Sequence, residues 1–63
     1  MLLDVIAVNI ETKTVRLIAE NKSERNAEAI IDMVVLRRGV EAEFYTTAEA
    51  GKYHDGDALK DDE

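Results

Sequence analysis

The sequence contains no cysteine, no proline and no tryptophan, and it has only three aromatic residues and one histidine among 63 residues. Without cysteine, the chain can form neither a disulfide framework nor a thiolate-ligated metal site. It also lacks any run of 18 apolar residues and the charged and apolar regions of a signal peptide. These absences predict a cytoplasmic protein that does not cross a membrane.

Apolar residues make up 46% of the chain, which is too high a fraction for a disordered polypeptide. A chain this short forms one small core and does not divide into two domains. We therefore expect residues 1–57 to form a single α+β domain and residues 58–63 to form an acidic disordered tail.

The formal net charge of −6 is unevenly distributed along the chain. Residues 1–40 contain six acidic and six basic residues, so they are neutral as a group, whereas residues 41–63 contain eight acidic residues and two lysines. The whole net charge therefore lies in the C-terminal third. This balance disfavours binding to nucleic acid or to an anionic membrane surface.

Two apolar stretches near the N-terminus predict a β-hairpin. Residues 2–10 and 14–20 are rich in Val, Ile and Leu, and the three polar residues 11–13 lie between them. Pairing Ile10 with Val15 gives the simplest register. One face of the hairpin is then apolar and is expected to contact the core; it carries Ile6, Val8, Ile10, Val15, Leu17 and Ala19.

The opposite face of the hairpin mixes polar residues with Val5, Ala7 and Ile18. We expect this second face to remain open, since a single helix covers only one face of a small sheet.

A helix is predicted from an N-cap at Ser23 to Arg38. Apolar residues with helical spacing form a stripe facing the core, and the stripe consists of Ala27, Ile30, Ile31, Val34 and Val35, widened by Met33 and Leu36. Two arginines complement the dipole at the C-terminal end, and Gly39 is suited to the left-handed position after the helix, with Val40 next to it.

Residues 41–48 alternate between two faces and predict a third strand, and residues 52–54 are expected to be loop. The element order is therefore β-β-α-β, with one helix on a three-stranded antiparallel sheet. A right-handed crossover places the first, most apolar strand in the centre, which gives the spatial order 2-1-3.

No group of residues predicts catalysis, a cofactor or a metal ion. His54 lies beside Asp55 and Asp57, but the chain has no second histidine, and the Asp-Gly-Asp segment lacks the remaining ligands of a calcium loop. Ser23 is the only serine and is explained as a helix cap. We expect a surface turn at residues 55–57 and a protein that is not an enzyme.

Self-association is the leading functional hypothesis. An open apolar sheet face and a helix that is apolar on more than one side predict a homodimer, or a contact with another protein. The predicted contact surface comprises Val5, Ala7, Ile18, Tyr45, Glu41 and Glu43. Pairing through an edge strand is an alternative route to the same dimer.

A second hypothesis uses the acidic C-terminal third. Carboxylates on the third strand, the Asp-Gly-Asp turn and the tail could stand in for phosphates and occupy the site of a nucleic-acid-binding protein. On this hypothesis the protein is an acidic inhibitor, and the residues that act are Glu41, Glu43, Asp55, Asp57, Asp61, Asp62 and Glu63.

Several segments of the sequence are similar to those of a known group of proteins. The segments are Asn26 to Ile31, Arg37 to Glu41, Phe44-Tyr45 and Gly51 to Asp57. In size and composition the chain resembles the small accessory proteins that tailed bacteriophages and prophages encode. The resemblance implies a role in the host cytoplasm, and it assigns no catalytic residue.

Overall fold

The computed structural model describes residues 1–38 and 42–59. It contains the strands β1 (Leu3–Asn9), β2 (Val15–Lys22) and β3 (Glu43–Glu49) and one helix, α1 (Glu24–Arg38). The sheet order is β2-β1-β3, and β1 is antiparallel to both neighbours. The predicted α+β fold, its element order and its strand order are therefore confirmed. The predictions for Gly39, Val40, Glu41 and residues 60–63 lie outside the described residues.

Strand β1 forms the centre of the molecule, because it is hydrogen-bonded along both edges. Its five residues from Asp4 to Val8 are all buried, and four of the five are apolar. A strand covered on both faces needs apolar residues at successive positions, which explains the nearly continuous apolar run in this segment.

The hairpin register differs from the predicted one. Val15 pairs with Val8 and not with Ile10. The turn begins one residue early because the Asn9 side chain accepts hydrogen bonds from the backbone amides of Glu11 (2.9 Å) and Thr12 (3.0 Å). The loop therefore includes Ile10, which is 40% exposed.

The altered register changes which residues pair across the hairpin, but near the turn each side chain stays on its predicted face of the sheet. A shift of two residues keeps each side chain on its original face, because the side chains of a strand alternate with a period of two. Further along, the register is irregular between Val5 and Ile6, where Val5 pairs with Ala19 and Ile6 with Leu17. The extra residue in β2 at this point is Ile18.

The best-packed core lies on the sheet face that carries Ile6, Val8 and Val15. Its cover is the C-terminal segment, residues 50–59, which contributes Tyr53, 5% exposed, and Leu59. The loop prediction for residues 52–54 gave no indication that Tyr53 is part of the core.

Backbone hydrogen bonds attach this C-terminal segment to the outer edge of β2. The amide of Val15 donates to the carbonyl of Asp57 (2.7 Å), and the amide of Leu59 donates to the carbonyl of Lys13 (2.8 Å). Ala58 also forms an isolated bridge with Thr14. Ala58 and Leu59 therefore belong to the packed part of the chain, two residues beyond the predicted domain end at residue 57.

Helix α1 lies on the opposite sheet face. Alternation along β1 places Val5 and Ala7 on that face, and α1 contacts all three strands. Ser23 caps the helix as predicted, with its hydroxyl accepting a hydrogen bond from the amide of Asn26 (3.3 Å). The helix buries Ala27 completely and partly buries Ile30, Ile31 and Val34.

The helix is 15 residues long. No helix in residues 1–38 and 42–59 combines the length and the apolar character that a membrane span requires.

Candidate interaction surface

The predicted contact residues on the sheet are mostly buried within the chain itself. Val5 and Ala7 are both 0% exposed, because the helix covers the sheet face that was expected to be open. The prediction that this face is open is therefore wrong. The face is not open because the chain covers both faces of the sheet, one with α1 and the other with the C-terminal segment.

Ile18 is half-buried and lines a groove between β2 and α1. The groove has a volume of about 280 Å³, and Leu17, Ile18, Met33 and Val34 contribute the apolar part of its lining. Arg16, Arg37 and Arg38 complete the lining and place positive charge at the groove. Of the predicted contact residues, Ile18 therefore lies where β2 meets α1.

The polar members of the predicted surface have intramolecular partners. Glu43 accepts hydrogen bonds from Arg16, with Nη2 to Oε1 at 2.9 Å and Nε to Oε2 at 3.4 Å. The Tyr45 hydroxyl lies 3.5 Å from the same Oε1 atom. The hydrogen bond with Glu43 raises the pKa of the Arg16 guanidinium above its ordinary value, so Arg16 remains charged at any physiological pH.

The Asp-Gly-Asp segment forms the predicted turn, and its carboxylates serve the fold. Asp55 Oδ1 accepts a hydrogen bond from the amide of Leu17 at 2.6 Å, which satisfies a donor at the edge of β2. Asp57 Oδ2 accepts from the amide of His54 at 2.8 Å, and Gly56 adopts a φ of 90°. The surface-turn prediction is therefore confirmed.

His54 is exposed, and its Nδ1 lies 3.6 Å from Asp57 Oδ2. Across the described part of the chain, no three residues of the types His, Cys, Asp and Glu come together as a metal-binding group.

The acidic-inhibitor hypothesis receives little support from this arrangement. Of the seven residues that it uses, Glu43 is paired with Arg16, and Asp55 and Asp57 each accept a backbone hydrogen bond. Glu41, Asp61, Asp62 and Glu63 lie outside the described residues. A phosphate mimic needs a row of free carboxylates, and the described acids of this group are already engaged.

Sequence reasoning did not anticipate the role of Asp4. This residue is only 3% exposed, and its carboxylate accepts hydrogen bonds from the amides of Asn21 and Gly51, both at 3.0 Å. Asn21 and Gly51 both have positive φ, at 57° and 85°. Asp4 thus joins the end of β2 to the turn after β3. The only sequence signal is a single acidic residue within an otherwise apolar strand.

The outer side of α1 carries a second apolar stripe that the core does not use. Ala29, Met33 and Leu36 follow the spacing i, i+4, i+7 and share one side of the helix. Met33 is 52% exposed and Leu36 is 87% exposed. The prediction that Met33 and Leu36 widen the core stripe is therefore wrong. Together with Ala29 they form what we call the outer stripe.

The outer edge of β3 is a further surface. The hydrogen bonds from the amide of Ile10 to the Ala42 carbonyl and from the amide of Ala50 to the Leu2 carbonyl define the alternation of the ladder. By this alternation, the amides of Tyr45 and Thr47 point away from β1. No strand within residues 1–38 and 42–59 pairs with this edge.

Comparison of the chain with protein-family models, with curated proteins and with solved structures gives no match. The functional interpretation therefore depends on the surfaces described above.

Proposed function

We propose that this chain is a non-enzymatic protein-interaction module that self-associates through the outer side of α1. The observation that carries this proposal is the outer stripe, above all Leu36 with 87% of its surface exposed. The helix already uses its opposite side to cover the sheet, so Leu36 has little contact within a single chain, whereas Met33, 52% exposed, also lines the groove beside β2.

The energetics favour covering this stripe. Burying apolar surface contributes roughly 25 cal/mol per Å², and fully burying a Leu or Met side chain contributes about 1.5–3 kcal/mol. A symmetric contact buries each side chain twice, once from each copy. Two leucines and two methionines are therefore covered by one dimer contact, which offsets part of the entropic cost of association.

Sedimentation velocity tests the proposal. The wild-type chain should form a dimer whose fraction rises with concentration between about 10 and 100 µM, a range suited to micromolar dissociation constants. A Leu36→Asp variant should remain monomeric and folded, because Leu36 has little buried surface to lose in one chain. A wild-type chain that is monomeric throughout this range would contradict the proposal.

An Ile10→Asp variant serves as the matched control. Ile10 is also a partly exposed aliphatic residue, 40% exposed, but it lies in the hairpin turn and not on α1. The control should dimerise like the wild-type chain. Equal loss of the dimer in both variants would mean that added negative charge, and not the outer stripe, controls association.

A further inference from the structure

The charges beside the outer stripe indicate how two helices would be oriented. Arg25 and Asp32 are seven residues apart, which is two helical turns, so both lie along the same side of the stripe. Within the described residues neither forms an ion pair. A basic group near the start of the helix and an acidic group two turns later are thus both available to a partner.

A parallel pair of helices related by a two-fold axis would place the Arg25 and Asp32 side chains of the two copies on opposite sides of the contact, where they do not meet. An antiparallel pair related by a two-fold axis instead places Arg25 beside Asp32 of the second copy, and the same contact occurs twice. Opposite charges at short distance attract, whereas like charges repel. Charge complementarity therefore favours the antiparallel arrangement.

The antiparallel arrangement also determines which residue lies at the two-fold axis. Residues that face each other across such an axis are equally far from its centre along the helix, and the midpoint of positions 25 and 32 falls at 28–29. Ala29 is the member of the outer stripe at this point. Its small side chain allows the two helix backbones to approach closely.

In the same geometry, Leu36 of one copy lies opposite residues 21–22 of the second copy, at the end of its β2 and just before its α1. Met1, which is 94% exposed, lines a groove with Leu3, Ser23 and Glu24 at this end of the helix.

We propose that two copies of this chain pair their α1 helices antiparallel across a two-fold axis at Ala29, with Arg25 of each copy beside Asp32 of the other. This inference rests on the proposed self-association and adds its geometry. Its test must therefore separate a wrong geometry from the absence of a dimer.

Disulfide cross-linking provides the first test. The sequence has no cysteine, so an Ala29→Cys variant carries a single thiol, and Ala29 is exposed in one chain. Two cysteines at the axis can reach the Cα separation of about 4.4–6.8 Å that a disulfide needs. We expect Ala29→Cys to form a disulfide-linked dimer on mild oxidation. A Glu28→Cys variant should not, because one residue rotates the thiol about 100° away from the stripe.

Charge reversal provides the second test. Arg25→Asp and Asp32→Arg should each weaken the dimer about 3- to 30-fold, as expected for two exposed ion pairs changed to repulsive ones. The double variant Arg25→Asp/Asp32→Arg restores both pairs and should return the dissociation constant to about the wild-type value. A nonspecific effect of the altered charges on the dimer would not produce this rescue.

The outcomes distinguish the two proposals. A wild-type dimer without cross-linking at Ala29 and without rescue by the double variant would overturn the antiparallel geometry and leave self-association intact. Protection of the Tyr45 and Thr47 amides from hydrogen exchange in that dimer would assign the contact to the β3 edge instead. A wild-type chain that remains monomeric would overturn both proposals.

Discussion

The buried Asp4 carboxylate allows a sharp prediction about stability. It accepts hydrogen bonds from the amides of Asn21 and Gly51, both at 3.0 Å, and only 3% of the residue is exposed. In an Asp4→Asn variant, one side-chain oxygen can still accept a hydrogen bond. The amide nitrogen that replaces the other oxygen faces a backbone donor and cannot accept. One partly buried backbone N–H group therefore loses its partner.

The magnitude follows from this geometry. Leaving a buried donor unsatisfied costs about 1–3 kcal/mol, and replacing a charged acceptor by a neutral one weakens the remaining bond. We expect Asp4→Asn to lower the free energy of unfolding by about 2–3 kcal/mol. A domain of this size has a total of about 3–9 kcal/mol at the usual stability per residue, so the loss is a large share.

Urea denaturation followed by circular dichroism measures this loss. With a slope of about 1 kcal/mol per molar urea, the midpoint of Asp4→Asn should fall by about 2–3 M. All variants are compared at one low protein concentration, because self-association adds to apparent stability. Asp55→Asn is the control, since its side chain accepts one backbone hydrogen bond and asparagine can retain it. Equal midpoints for the two variants would refute the role assigned to Asp4.

Further predictions concern the core, the hairpin turn and the surface ion pair. Tyr53→Ala should remove about 3–5 kcal/mol and leave the chain largely unfolded, seen as lost dispersion in the amide NMR spectrum. Asn9→Ala should cost about 1 kcal/mol in urea denaturation, because the amides of the turn lose their acceptor. A double-mutant cycle on Arg16 and Glu43 should give a coupling below about 1 kcal/mol that falls with added salt, since their side chains are 42% and 22% exposed.

Local sequence patterns were sufficient to predict the elements and their order. The apolar run of β1, the cap at Ser23 and the helical spacing from Ala27 to Val34 each agree with the structure. The 2-1-3 order followed from the handedness of the crossover and from the apolar character of the first strand. These features depend on short-range chemistry, which a single sequence displays directly.

These local patterns did not predict which segment covers which face of the sheet. Tyr53 and Leu59 lie six residues apart in a segment without periodicity, so nothing in the sequence indicated that this segment covers one sheet face. Once it does, α1 covers the other face, and Val5 and Ala7 become buried. The sequence pattern places the helix on the wrong sheet face and counts Met33 and Leu36 as core residues, so it does not reveal the outer stripe.

The register error has a local cause. The apolar pattern places Asn9 inside the first strand, whereas its side chain accepts two hydrogen bonds from the turn. Lys13 adopts a left-handed φ of 61° in the same loop, and a lysine in the sequence does not indicate this conformation. Turn geometry of this kind depends on side-chain hydrogen bonds and not on apolar spacing.

A dilution series of amide NMR spectra tests self-association through the outer side of α1 at each residue. This contact predicts concentration-dependent shifts at Ala29, Met33 and Leu36, with the amides of Tyr45 and Thr47 unchanged. Shifts confined to β3, or spectra that do not change over the concentration range, would contradict it.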